Sequence, residues 1–177
     1  TNIKKAANVR INPITRRIPQ LMKAPLINLS VLLLLLLLPS CDSRMVFEKN
    51  QRIPGGSWDA SQPAEFEAFI ADTLKPCNLY INIRNKGSYS FSNLFLFITI
   101  TSPAGEKLTD TVECTLADSK GKWYGKGIGD LYFMRSPWKK NIRFPHAGIY
   151  QFRLTQGMRT NPLPGITDIG LRIEKVH

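Results

Sequence analysis

The residue types that most enzymes and metal sites rely on are scarce in this chain. Its 177 residues include two histidines, His146 and His177, and three cysteines, Cys41, Cys77 and Cys114. No C-x-x-C pair exists, so a zinc site has no ligand set of the usual spacing. There is no G-x-S-x-G, and neither histidine has a nucleophile context beside it. After Cys41 no apolar stripe of helical period runs for a useful length, which argues against bundles and βαβ folds. Acidic residues are missing from positions 1–40, where six Lys/Arg stand alone, and no methionine precedes Met22.

What the first forty residues do contain is a leader. Met22–Cys41 reads MKAPLINLSVLLLLLLLPSC, with one lysine, an apolar core, then small residues before a cysteine. That order is the pattern of a secretory signal. Leu38-Pro39-Ser40-Cys41 resembles a bacterial lipobox, in which the thiol is acylated and the chain is cut just before it. The apolar stretch from Ala24 to Leu38 is too short for a bilayer span, which takes about 20 residues. The expected organisation is therefore an n-region and signal peptide at 1–40, with translation starting at Met22, a lipidated tether at 41–44 and one domain at 45–177. The covalent lipid on Cys41 is the only cofactor expected. Stable anchoring takes two or more acyl chains, at roughly 0.8 kcal/mol per buried CH2.

The leader also distorts the charge. The whole chain has 24 basic residues; six fall in 1–40, leaving 18 against 13 acidic residues, a net of +5. That balance, together with export, excludes nucleic acid as the expected partner. Cys77 and Cys114 form an even pair in an oxidising compartment, which either bridges or remains as two buried thiols.

Downstream of Cys41 the period is two. Phe66, Ala68 and Ile70 share one face, as do Leu79, Ile81 and Ile83; Tyr150, Phe152 and Leu154; and Ile169, Leu171 and Ile173. Met45–Lys49 reads as a first strand. Leu94–Ile100 reads as a central strand apolar on both faces, and Leu108–Leu116 as a Thr-rich alternating one. Turn signals at Pro54-Gly55-Gly56 and Ser102–Gly105 separate them. Six or seven such segments predict an all-β fold, a single β-sandwich of immunoglobulin-like or jelly-roll-like type.

Lys120–Trp138, KGKWYGKGIGDLYFMRSPW, fits that pattern poorly. It reads either as a long loop crossing between sheets or as a strand with bulges. Gly125, Gly127 and Gly129 lack the spacing and helix of a phosphate loop. Ser136-Pro137-Trp138-Lys139 matches S-x-x-K, but the companion elements of a serine acylase are absent. Asp110, Asp118, Asp130 and Asp168 match no calcium loop and read as turn-capping or solvated carboxylates. Trp58, Trp123, Tyr124, Tyr132 and Trp138 either plug the sandwich ends or present a binding surface.

Several blocks resemble one family. They are Ile53-Pro54 with Trp58; Ile81–Asn85; Ser92–Phe97; Asp110–Cys114 with Leu116–Asp118; Gly121–Asp130; Arg143–Pro145; Met158-Arg159; and Gly165–Lys175. Together they are similar to the GldH family of gliding-motility lipoproteins of the Bacteroidetes. The resemblance implies a non-enzymatic envelope protein of the gliding machinery, linked to type IX secretion of surface adhesins, with no catalytic residues and no small-molecule substrate. It places the lipid on Cys41. The expected location is the outer membrane, facing the periplasm, and the expected partners are the membrane and other gliding or secretion components. Flexible glycines, aromatics and cations combine around Lys120–Lys140. The candidate partner-binding residues are therefore Trp123, Tyr124, Lys126, Asp130, Tyr132 and Trp138. The alternative is a lipoprotein that binds glycan or peptidoglycan through the same aromatics.

Overall fold

The computed structural model describes residues 42–176. The leader, Met22 and Cys41 lie outside the described residues. Eleven strands follow one another: β1 Met45–Arg52, β2 Ser57–Trp58, β3 Ala64–Ile70, β4 Cys77–Lys86, β5 Asn93–Thr101, β6 Lys107–Thr115, β7 Lys126–Ile128, β8 Leu131–Ile142, β9 Gly148–Gln156, β10 Leu163–Pro164 and β11 Ile166–Lys175. They form a five-stranded sheet β1-β11-β4-β8-β7, a four-stranded sheet β3-β9-β5-β6 and a small β10-β2 pair, antiparallel throughout. The all-β sandwich read from the period-two pattern is the fold observed.

Alternation puts the core between the two large sheets. Leu79, Ile81 and Ile83 of β4 and Ile169, Leu171 and Ile173 of β11 are fully buried. They face Phe66, Leu96, Ile98, Phe152 and Leu154 of the four-stranded sheet in one continuous cluster. Trp58 is part of this core, and its indole N–H donates to the Gln62 carbonyl at 2.9 Å.

Two expectations change here. β5 is not apolar-buried on both faces: Leu94, Leu96, Ile98 and Ile100 point inward, while Phe95 and Phe97 stand exposed on the outer face. The glycine-rich stretch is only in part a sheet-crossing loop: residues 120–125 belong to the connection from β6 in the four-stranded sheet to β7 in the five-stranded one. It contains the hairpin of β7 and β8, and β8 is a 12-residue strand whose pairing with β4 slips around Leu79 and Tyr80. The bulged-strand reading is therefore the one realised for its second half. Asn141, with φ +56, continues that irregularity at the end of β8.

Candidate functional site

Strand direction sorts the functional residues to the two ends of the sandwich. The start of β1, the start of β4, the end of β8 and the end of β11 lie at one end of the five-stranded sheet, as their register shows. The end of β3, the start of β9, the end of β5 and the start of β6 lie together in the other sheet. A hollow of about 260 Å3 lined by residues such as Met45, Phe69, Asp72, Lys75 and Lys175 joins the corresponding ends of both sheets. Asp42 belongs to this end, one peptide bond from Cys41, and we refer to it as the anchor end. The β7–β8 hairpin and the β4–β5 and β6–β7 connections lie at the opposite, distal end. Ten residues of β4 separate the two by about 33 Å at the usual strand rise.

At the anchor end, the first described residues are pinned. Asp42 accepts at its side chain from the Arg44 N–H and at its carbonyl from the Met45 N–H, closing a turn. The Lys175 N–H donates to the Arg44 carbonyl at 2.9 Å. Arg172, on the outer face of β11 and only 5% exposed, reaches three carboxylates: Asp42, Glu48 and Glu174. Arg135 adds bonds to Glu48 at 2.9 Å and to Asn82 at 3.2 Å, and Asn82 in turn donates to Glu48 and Asn50. Gly170 makes room for this cluster, because a Cβ there would lie 1.9 Å from the Asn50 side-chain oxygen.

These contacts set the electrostatics. The hydrogen bond from Arg172, then that from the Arg44 backbone, holds the Asp42 carboxyl below its ordinary value. Burial alone would raise Glu48, but bonds from Arg172 and Asn82 bring it below. Burial alone would lower Arg172, and its three carboxylate partners push it up instead. Asp42, Glu48 and Arg172 are therefore ionised at neutral pH. Sequence reasoning missed it: period-two alternation marks Arg172 and Glu48 as outward-facing, and outward polar residues normally read as solvated.

The candidate partner-binding residues divide. At the distal end, the Trp123 ring packs between Tyr89 and Tyr132, with centroids 6.3 and 5.9 Å away, and is half-buried. Tyr89, which the sequence analysis did not single out, is buried and donates to the Asn93 carbonyl; burial pushes its phenol up. The Asp130 carboxylate and carbonyl both accept from the Gly87 N–H, joining the β7–β8 turn to the β4–β5 turn. Exposed beside this stack are Tyr124 at 60%, Lys126 and Ile128 at 93%. The glycines explain how close β7 lies to β8: a Cβ on Gly127 would stand 2.8 Å from the Tyr132 ring. Gly129 has φ +62 and supplies the tight turn.

Trp138 is not part of that group. Half-buried on β8, it packs edge-on against Phe152 at 6.4 Å and donates its N–H to Asp110 of β6 at 3.0 Å. Lys139 bonds the same carboxylate at 2.7 Å, so the trio clips the two sheets together. Those two bonds, Lys139 first, hold Asp110 below its ordinary value.

The remaining motifs resolve into structural roles. Asp118 caps its own turn through the Lys120 and Lys122 N–H groups, and Asp168 pairs with Arg84. Ser136 of the S-x-x-K match lies on a strand, buried, and Lys139 is taken up by the Asp110 carboxylate. Cys77 and Cys114 are both free and buried, and burial pushes both thiols up. Cys114 stands opposite Leu94 near the distal end of β6, whereas Cys77 opens β4 at the anchor end. A disulfide needs Cα atoms within about 7 Å, so the fold keeps the pair apart.

Comparison with known proteins adds identity to this geometry. A family model described as GldH lipoprotein matches residues 45–173. A gliding motility lipoprotein GldH homolog of Christiangramia forsetii is 36% identical over 148 residues, covering 80% of this chain and 90% of that protein. The gliding motility lipoprotein GldH of Flavobacterium johnsoniae is 33% identical over 152 residues, covering 82% and 94%. Alignments of that span necessarily run upstream of Cys41. No solved structure matches. With a family model across the whole sandwich and two relatives matched over most of their length, the chain belongs to the GldH family of gliding-motility lipoproteins.

Proposed function

We propose that this protein is exported with residues 1–40 as its signal peptide, acylated on Cys41 and held at the periplasmic face of the outer membrane. There it works by contact rather than turnover, within the gliding machinery and its type IX secretion of adhesins. The observation that carries the contact surface is the distal hairpin. Tyr124, Lys126 and Ile128 project from a base held rigid by the Tyr89–Trp123–Tyr132 stack and the Asp130–Gly87 bonds. Exposed aromatic and aliphatic side chains on a fixed base are what a protein partner uses as anchors.

Trp123 supports this surface from beneath, so its truncation would disturb folding as well as contact. The cleaner probe is Tyr124→Ala combined with Ile128→Ala. In a gliding host dependent on this chain, the double variant is expected to accumulate normally in the membrane fraction and to abolish spreading and adhesin display. Wild-type spreading by a normally folded double variant would remove this surface from consideration.

One feature favours a second reading. A distal hollow of about 500 Å3 is lined by Tyr89, Phe91 and Trp123 together with Ser90, Ser92 and Asp118. Aromatic faces beside hydroxyls suit a sugar. Co-sedimentation with purified sacculi, lost when the exposed Ser90 is replaced by arginine to fill this hollow but kept in the Tyr124/Ile128 double variant, would favour glycan over a protein partner.

A further inference from the structure

The anchor end carries a group of exposed apolar side chains. Leu74 is 82% exposed, Phe69 65%, Ile149 53% and Met45 46%. Phe69 and Ile149 are direct register partners on β3 and β9, forming one apolar pair. Leu74 sits at the tip of the β3–β4 connection. That tip is built rather than loose: the Asp72 side chain accepts from the Leu74 and Lys75 N–H groups, and Arg143 donates to the Leu74 carbonyl at 3.1 Å. The cations Arg44, Lys75, Arg143 and Lys175 lie at the same end. A cleft of about 520 Å3, with Ile100, Ile142, Phe144 and Tyr150 in its wall and Lys107 and Arg143 also lining it, opens there as well.

Covalent geometry limits what can cover this end. Consecutive Cα atoms stand 3.8 Å apart, so acyl chains on Cys41 enter the bilayer within a residue or two of Asp42. Asp42 does not swing on a linker: Arg172, the Met45 N–H and its own turn fix it to the sheet. A domain tethered this closely by a pinned residue presents the surface around that residue to the lipid. We infer that the anchor end is a membrane-docking face. Leu74, Phe69 and Ile149 sit at headgroup level, and the surrounding cations meet lipid phosphates, in the manner of an interfacial apolar patch ringed by Lys/Arg. The inference rests on the lipid anchor proposed above and adds the orientation: the sandwich stands on this end, with the distal hairpin about 33 Å away and free to meet a partner.

The test uses the lipidated mature chain reconstituted in phosphatidylethanolamine–phosphatidylglycerol vesicles whose acyl chains carry bromine, a contact quencher of indole emission. Two reporters are compared, Leu74→Trp at the anchor end and Ile128→Trp at the distal end, each against the emission of the unsubstituted chain. Docking predicts that the indole introduced by Leu74→Trp loses most of its emission and that the one introduced by Ile128→Trp loses none. Protein that floats with the vesicles while the Leu74→Trp signal stays unquenched overturns the docking face and leaves the anchor standing. Protein that fails to float overturns both. Because both substitutions are at exposed sites, folding is not at issue.

Discussion

The two ends of the sandwich are held by different physics. The anchor end relies on charge: one buried arginine gathers three carboxylates and fixes the first residue after the cysteine. The distal end relies on shape, with three stacked aromatic rings and glycines that let β7 lie against β8. An ion cluster fixes position but is costly to desolvate, which suits a place where orientation matters. Stacked rings on a short hairpin give a firm base from which exposed side chains project. The contrast shows how one small fold can keep the proposed attachment and the proposed contact surface on separate supports.

The sharpest way to break this contrast is Arg172→Leu. It leaves Glu48 and Glu174 to share Arg135 as their remaining cation, and the expected cost is about 3 kcal/mol in denaturant unfolding. Hydrogen exchange should rise at Arg44–Phe47, while the distal hairpin is protected as before. The pH dependence follows from the depressed Glu48 and Asp42 carboxyls. Their contribution is complete above the ordinary carboxylate range and is lost as pH falls below about 4. The wild-type protein should lose stability in that window, and Arg172→Leu should lose much less.

Gly127→Ala tests the other end. Its Cβ would meet the Tyr132 ring at 2.8 Å and the Leu131 carbonyl at 2.9 Å. The expected cost is about 1–3 kcal/mol, with raised exchange over Lys126–Phe133 and none at Asp42–Phe47. Asp110→Asn, which weakens the clip between the sheets midway, should cost about 1 kcal/mol and affect both ends alike. Smallest of all is the Tyr124/Ile128 double alanine variant. Stability should stay within about 0.5 kcal/mol of wild type, because both side chains face solvent. A larger loss would show that the hairpin surface is structural after all.

Seven strands were legible because their inward residues are aliphatic or aromatic and their outward ones polar, as in Leu79–Ile83 and Ile169–Ile173. β8 was not legible. It mixes Arg135, Ser136 and Pro137 into its middle, and its register with β4 slips, so neither alternation nor propensity marks it. The outward Phe95 and Phe97 misled in the opposite sense, since an apolar residue on an outer face looks like a buried one. Among the candidate residues, Tyr124 and Lys126 do lie on an exposed surface. Trp123, Tyr132 and Asp130 serve as its base, and Trp138 belongs to the sheet-to-sheet clip. A sequence gives residue types at a loop; which of them face water depends on long-range partners such as Tyr89, Gly87 and Asp110. Arg172 was hidden for the same reason, since its partners Asp42 and Glu48 are 130 and 124 residues away.

The proposed attachment at one end and the proposed contact at the other can be read out together in living cells. A photo-crosslinking amino acid is placed at position 74 or at position 128 of the full-length chain, and the adducts are identified after irradiation. The account predicts lipid adducts without protein at position 74 and discrete protein adducts at position 128. Protein adducts at position 74 with none at position 128 would contradict it.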